Sequence, residues 1–191
     1  MNDIIQKTID EVFHLYQEFG SADYIGEPVS QIEHMSQSAQ LALESGADDE
    51  VVLAAFFHDI GHLVVLGTEH MSMGGYGAKR HEQIGADYLR SKGFPERVAK
   101  LVENHVQAKR YLTWKHPEYF NNLSEASRIT LGYQGGVMGE QEAREFESNP
   151  LFNDSISLRR WDEEAKLTNI PLIDMNIMRE KALRLLSTAQ L

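Results

Sequence analysis

The sequence predicts an all-α fold, a helical bundle, on three observations. Apolar residues recur at i, i+3 and i+4 along nearly the whole chain, no stretch alternates apolar and polar residues for long, and several segments open on N-capping residues. The elements follow in order. Ser30-Gln31-Ile32-Glu33 is a capping box, in which Ser and Glu three apart satisfy each other's amides, and it opens a helix that Gly46 closes. Asp48 or Asp49 caps the next helix, whose run Val51-Val52-Leu53-Ala54-Ala55-Phe56-Phe57 leads into His58-Asp59. His81, Ile84, Gly85, Tyr88 and Leu89 are spaced as one helical face, and Gly85 there admits the close approach of another backbone or a ligand. Pro95 stands where first-turn prolines stand, ahead of a helix over about 96–112. Ser124 and Asp174 are N-caps for later helices. The irregular stretch from Leu63 to Lys79 holds Gly67, Gly74, Gly75 and Gly77, and both a mobile flap and a long surface loop fit it.

Composition narrows the function classes. The 191 residues suit one domain over 1–191, and no repeat, low-complexity tract or Pro/Ser-rich linker divides them. Zero cysteine excludes disulfides, thiolate-bound zinc, iron–sulfur clusters and cysteine nucleophiles. With 18 basic against 29 acidic side chains the formal charge is −11, which argues against a general nucleic-acid binder. Met1-Asn2-Asp3-Ile4 lacks a basic leader region, and the longest apolar run, Val51 to Phe57, is too short for a bilayer. The expectation is a soluble, cytoplasmic protein with no membrane partner, its oligomeric state left open.

The informative residues are polar ones on faces that otherwise read as core. Val98, Leu101, Val102, His105, Lys109 and Leu112 share one helical side, so a histidine and a lysine point inward together. His34 lines up with Ser38, Leu41 and Ala42, and Asp162 with Leu158 and Ala165. One inward histidine is more often a hydrogen-bonded core residue than a ligand. Four histidines and two aspartates on separate helices of one small domain are harder to explain that way. Imidazoles and carboxylates gathered inside a bundle are how iron, manganese, nickel or zinc is held without cysteine.

His58-Asp59-Ile60-Gly61 after a buried apolar helix, with His34 before it and an aspartate far downstream, resembles the HD-domain superfamily. The ordered set His34, His58-Asp59, His81, His105 and Asp162 matches that family's ligand list in chain order. Read chemically, His34, His58, Asp59 and Asp162 complete one metal site, and His81 and His105 add donors for a second. Asp59, with two oxygens, bridges the pair, which makes the predicted centre dinuclear. Four further phrases are similar to the HD-domain phosphonate oxygenases: His81-Glu82-Gln83-Ile84-Gly85-Ala86, His105 through Leu112, Gln134-Gly135-Gly136-Val137-Met138, and Leu158 through Lys166. That resemblance covers essentially the whole chain, from Tyr24 to the helix carrying Asp162. It implies a mixed-valence Fe(II)/Fe(III) pair, O2 as co-substrate and a small anionic organophosphonate as substrate. The implied reaction is C–P cleavage of (R)-2-amino-1-hydroxyethylphosphonate to glycine and phosphate. Two alternatives stand beside it: the same chemistry on the trimethylammonium analogue, giving glycine betaine, and a metal-dependent phosphohydrolase, the commoner HD activity.

The resemblance also assigns roles. Lys109, one turn after His105, meets the phosphonate; its plain reading is a lysine that snorkels to solvent. His62, one turn after His58, stands where many HD hydrolases carry lysine, and is expected to hydrogen-bond substrate as a catalytic group. Ser127 and Gln134 match substrate-contact positions, and Thr130 joins them on spacing alone. Tyr24 is expected to gate an iron site before substrate arrives, and the neighbouring Glu27 to move with it and recognise the amine. His14, His70 and His116 have no ligand-like context and are expected on the surface or in loops.

Overall fold

Ser30 caps its helix as the motif predicts: its hydroxyl accepts the Glu33 amide while the Glu33 carboxylate accepts the Ser30 amide at 2.7 Å. The structure is a computed structural model, and it describes residues 2–24, 26–66 and 72–188. Among these lie eleven helices: α1 (Asn2–Phe19), α2 (Gln31–Glu44), α3 (Asp49–Phe57), α4 (Ile60–Val64), α5 (His81–Ser91), α6 (Glu96–Lys115), α7 (Pro117–Asn122), α8 (Glu125–Tyr133), α9 (Glu140–Glu147), α10 (Phe152–Glu164) and α11 (Met175–Thr188). No strand occurs among the described residues, only the isolated bridges Asp23–Ser30 and Ser72–Ala78. No helix there is long and apolar enough to cross a membrane.

The predicted caps hold. Asp48 accepts from the Glu50 and Val51 amides at the head of α3, Ser124 from the Ser127 amide at α8, and Asp174 from the Asn176 amide before α11. Gly46, at φ +77, turns the chain out of α2. Three boundaries differ from the expectation: α6 runs on to Lys115, Leu63 and Val64 belong to α4, and the α3 helix does not run through His58-Asp59. Those two residues form a break between α3 and α4, with Asp59 at φ −105, ψ 11. On a continuous helix, neighbouring side chains point about 100° apart. The break lets both of these face one cavity.

α3 is apolar all round because it is buried on every side, from Val51 through Phe57. Phe13 and Tyr16 of α1 stack against Phe56, Phe94 meets Phe57 edge-on, and the Tyr16 hydroxyl donates to the Phe56 carbonyl. α11 covers α1 and α3, held by Lys181 and Arg184 on Asp49 and by Arg179 on Asp10. A second, smaller cluster joins Ala108, Tyr111 and Leu112 of α6 to Met138, Ala143 and Phe146. The segment between α10 and α11 is fastened to α2. Gln37 exchanges two hydrogen bonds with the Leu167 main chain, and the Ile173 amide donates to Ser36.

α4 and α5 meet through glycine. A Cβ on Gly61 would lie 2.0 Å from the His81 carbonyl oxygen and 2.9 Å from the Gly85 amide nitrogen, both rigid main-chain atoms. Gly61→Ala is therefore expected to cost about 3 kcal/mol of unfolding free energy in chemical denaturation. A loss below about 0.5 kcal/mol, the size of an ordinary surface change, would contradict this packing.

Candidate metal centre

Six side chains from five parts of the chain converge. α2 supplies His34, the α3–α4 break His58 and Asp59, the first residue of α5 His81, α6 His105 and α10 Asp162, and all are buried. Arg80, in the left-handed region at φ 62, turns the chain so that α5 begins on His81.

Each histidine is aimed by a main-chain carbonyl. The Nδ1 atoms lie 2.9 Å from Ala165 O for His34, 2.8 Å from Ala55 O for His58, 3.3 Å from Ala78 O for His81 and 2.6 Å from Val102 O for His105. A carbonyl only accepts, so Nδ1 carries the proton and Nε2 presents its lone pair. The Nε2 atoms then face each other in pairs, His34 with His58 at 3.0 Å and His81 with His105 at 3.1 Å. In the neutral rings two lone pairs meet there, so a positive charge, a proton or a metal ion, is needed between them. Each pair is arranged for a cation.

The carboxylates complete the arrangement. Asp59 Oδ2 lies 3.4 and 3.6 Å from the first pair's Nε2 atoms, and Oδ1 lies 3.2 and 3.6 Å from the second's, so one residue faces both clusters. Asp162 Oδ1 is 3.3 Å from His34 Nε2, buried and without a hydrogen-bond partner. Burial opposes ionisation of Asp59 and Asp162, yet the adjoining histidines, and Arg159 beside Asp162, hold both carboxyls well below the usual carboxylate range. Burial likewise opposes a charge on His58, but Asp59 and Asp162 outweigh it and raise its pKa to about 9, so the spot between the rings favours positive charge. Four nitrogen and two carboxylate donors fit a pair of metal ions of the hard-to-borderline kind.

A cavity opens beside the second cluster, and the remaining expected residues line it: Tyr24, Glu27, His62, Lys109, Ser127, Thr130 and Gln134. The Tyr24 ring stacks on His34, centroids 4.1 Å apart. His62 stacks on His81 at 4.1 Å, its Nε2 4.0 Å from Asp59 Oδ1. Lys109 does not snorkel outward: it is 3% exposed and donates to Thr130 Oγ1 at 2.9 Å and Gln134 Oε1 at 3.0 Å. Glu27 accepts from the Ser124 hydroxyl and pairs with Lys166 at 3.0 Å. His14 and His116 are exposed, as expected, and His70 lies outside the described residues. The loop over 63–79 is only partly described, because 67–71 fall outside; its later part brings Met73, Tyr76 and Gly77 to the cavity wall.

The sequence reading missed Arg159. It is buried, ion-paired with Asp162 and Glu163, and donates to Tyr119 Oη at 2.8 Å and Ser127 Oγ at 3.3 Å. The signal was present: Ser155, Leu158, Arg159 and Asp162 follow i, i+3, i+4, i+7 and are the buried face of α10. Lys166, also on the cavity wall, had no such signal, because it follows the helix end.

The chain is similar to known proteins. The family model described as HD domain matches residues 32–133. An uncharacterized protein of Acanthamoeba polyphaga mimivirus is 46% identical over 98% of this chain and 85% of its own. The [1-hydroxy-2-(trimethylamino)ethyl]phosphonate dioxygenase (glycine-betaine-forming) of Leisingera caerulea is 40% identical over 84% of this chain and 81% of its own length. The hydroxymethylphosphonate dioxygenase of Gimesia maris is 39% identical over 87% and 82%.

Burial, with the Arg159 charge adding to it, pushes the Lys109 pKa down to about 7. An oxyanion bound beside Lys109 would favour the charged lysine, so above that pH its binding would take up a proton and its affinity would fall as pH rises. Calorimetry of sulfate binding at pH 8.5 in buffers of different ionisation enthalpy should show uptake approaching one proton. Lys109→Met should remove it.

Proposed function

We propose that this chain, an oxidoreductase that belongs to the HD-domain family of phosphonate oxygenases, uses O2 to cleave the C–P bond of (R)-2-amino-1-hydroxyethylphosphonate, giving glycine and phosphate. The observation that carries the reading is a two-cluster histidine–carboxylate centre shared through Asp59, opening onto a buried lysine and arginine. The stoichiometry closes without a reductant. C1 rises from the alcohol to the carboxylate level, phosphorus leaves as phosphate, and O2 accepts the four electrons and supplies both added oxygens.

In this reading His34, His58, Asp59 and Asp162 hold one iron and His81, His105 and Asp59 the other. The mixed-valence iron pair supplies the redox chemistry. The protein's own groups bind and orient. Lys109 and Arg159 take the phosphonate charge, with Ser127, Thr130 and Gln134 as uncharged partners fixed around them. Two resident cations and these two side chains make a positive pocket inside an acidic chain. His62 contacts substrate from the side of His81. Glu27 takes the ammonium, and Tyr24, lying flat on His34, is placed to shield the first iron until substrate arrives.

The trimethylammonium analogue is the second reading. A relative of that named activity is 40% identical, and the Tyr24 and Tyr76 rings on the cavity wall offer π faces to a quaternary cation. Glu27 favours the primary ammonium, which donates hydrogen bonds that a quaternary one lacks.

Iron-loaded protein with the aminohydroxyphosphonate should release glycine and phosphate in equal amounts under air and neither under strict anaerobiosis. Equal phosphate release without O2 would overturn the oxygenase reading, and O2-independent hydrolysis of a phosphate ester by the same protein would mark a phosphohydrolase instead. Lys109→Ala should lower turnover on the order of 100-fold while leaving bound iron near wild type. Loss of both irons would reassign Lys109 from substrate contact to support of the centre.

A further inference from the structure

His62 carries a hydrogen-bond pattern opposite to that of the four converging histidines. Their Nδ1 atoms each face a carbonyl oxygen, whereas His62 Nδ1 accepts the main-chain N–H of Ala78 at 3.1 Å. A nitrogen that accepts a hydrogen bond holds no proton, so the proton of the neutral ring sits on Nε2. That nitrogen lies on the cavity wall, 4.0 Å from Asp59 Oδ1. By distance alone His62 belongs with Asp59 and His81 as a third donor to a cation. By tautomer it does not, since an N–H offers a metal no lone pair.

The loop that carries the Ala78 amide is internally braced. The Ser72–Ala78 bridge, the Met73 amide on the Gly77 carbonyl and the Gly75 amide on the Ser72 hydroxyl close it on itself. Its Gly77 lies against the flat of the His62 ring at φ +93, and a Cβ there would stand 2.5 Å from Cε1 and 2.9 Å from Nδ1. His81 stacks on the same ring, centroids 4.1 Å apart. Both groups pack against the ring, and only glycine fits on the loop side.

We propose that the 72–80 loop is a positioning device for His62: Gly77 admits the ring, the Ala78 amide fixes its proton on Nε2, and His62 is thereby a hydrogen-bond donor to the bound substrate and excluded as a fifth histidine ligand. The donor role toward a phosphonate or hydroxyl oxygen rests on the proposed oxygenase reading. The tautomer and its cause do not.

Nitrogen NMR of the full-length, zinc-loaded protein with 15N-labelled histidine tests this directly, since zinc is diamagnetic. His62 is expected to show a protonated Nε2 and an unprotonated Nδ1, unchanged between the metal-free and zinc-loaded forms. The Nε2 signals of His34, His58, His81 and His105 should move on zinc binding. A protonated Nδ1 on His62, or a His62 signal that moves with zinc as the other four do, overturns the proposal. Gly77→Ala should displace the ring, mix its tautomers and keep two metal ions per chain, and it should weaken anaerobic binding of the hydroxyphosphonate about tenfold. Unchanged His62 nitrogen signals in Gly77→Ala would refute positioning by the loop. Should that variant fail to fold, the wild-type spectrum decides alone. Because no turnover is read, failure of the oxygenase assignment leaves this result interpretable.

Discussion

Everything in the site depends on where a main-chain carbonyl stops behind each imidazole. Ala55, Ala78, Val102 and Ala165 are chemically unremarkable residues, yet their oxygens decide which ring nitrogen is bare. Second partners of this kind fix ring orientation and raise ligand basicity. Three of the four carbonyls lie three residues before their histidine, within the same turn of chain. Those histidines carry their own orientation with them. His34 alone borrows its carbonyl from a distant segment.

Charge is managed by partition. Asp59 and Asp162 are buried ions, tolerable only where positive charge answers them. Asp162 divides its two oxygens, one for the Arg159 guanidinium and one for the cluster. Arg159 in turn is shared with Glu163, Tyr119 and Ser127, so the helix that supplies a carboxylate to the centre also brings a cation to the cavity wall. The overall acidity of the surface says nothing about this interior.

Helix existence was legible in the sequence because it follows from short-range spacing: the capping box at Ser30, the apolar run of α3, and His105 and Lys109 one turn apart on an inward face. The converging set was legible through its resemblance to the HD-domain ligand list in chain order. What stayed hidden depends on local breaks and long-range closure. Nothing in Val51 through Asp59 announces that the helix stops before Asp59, since the break brings Asp59 toward His34 and His81, which come from elsewhere in the chain. Arg159 was legible in principle, but Arg159-Arg160 offers two guanidinia and only the face count says which is inward. The glycines of the 72–80 loop read as punctuation. Their meaning appears only when the His62 ring is found beneath Gly77.

The carbonyl that aims His34 belongs to Ala165, 131 positions later in the chain. Gln37 and Ser36 fasten the same late segment to the same early helix. Contacts of such span are slow to form, since the ends of a long loop must meet before they are rewarded. During synthesis, a nascent chain long enough to expose His34, His58, Asp59, His81 and His105 still lacks both Asp162 and the group that orients the first histidine. The complete centre therefore depends on the seam between α2 and the segment that follows α10, which joins residues 131 positions apart.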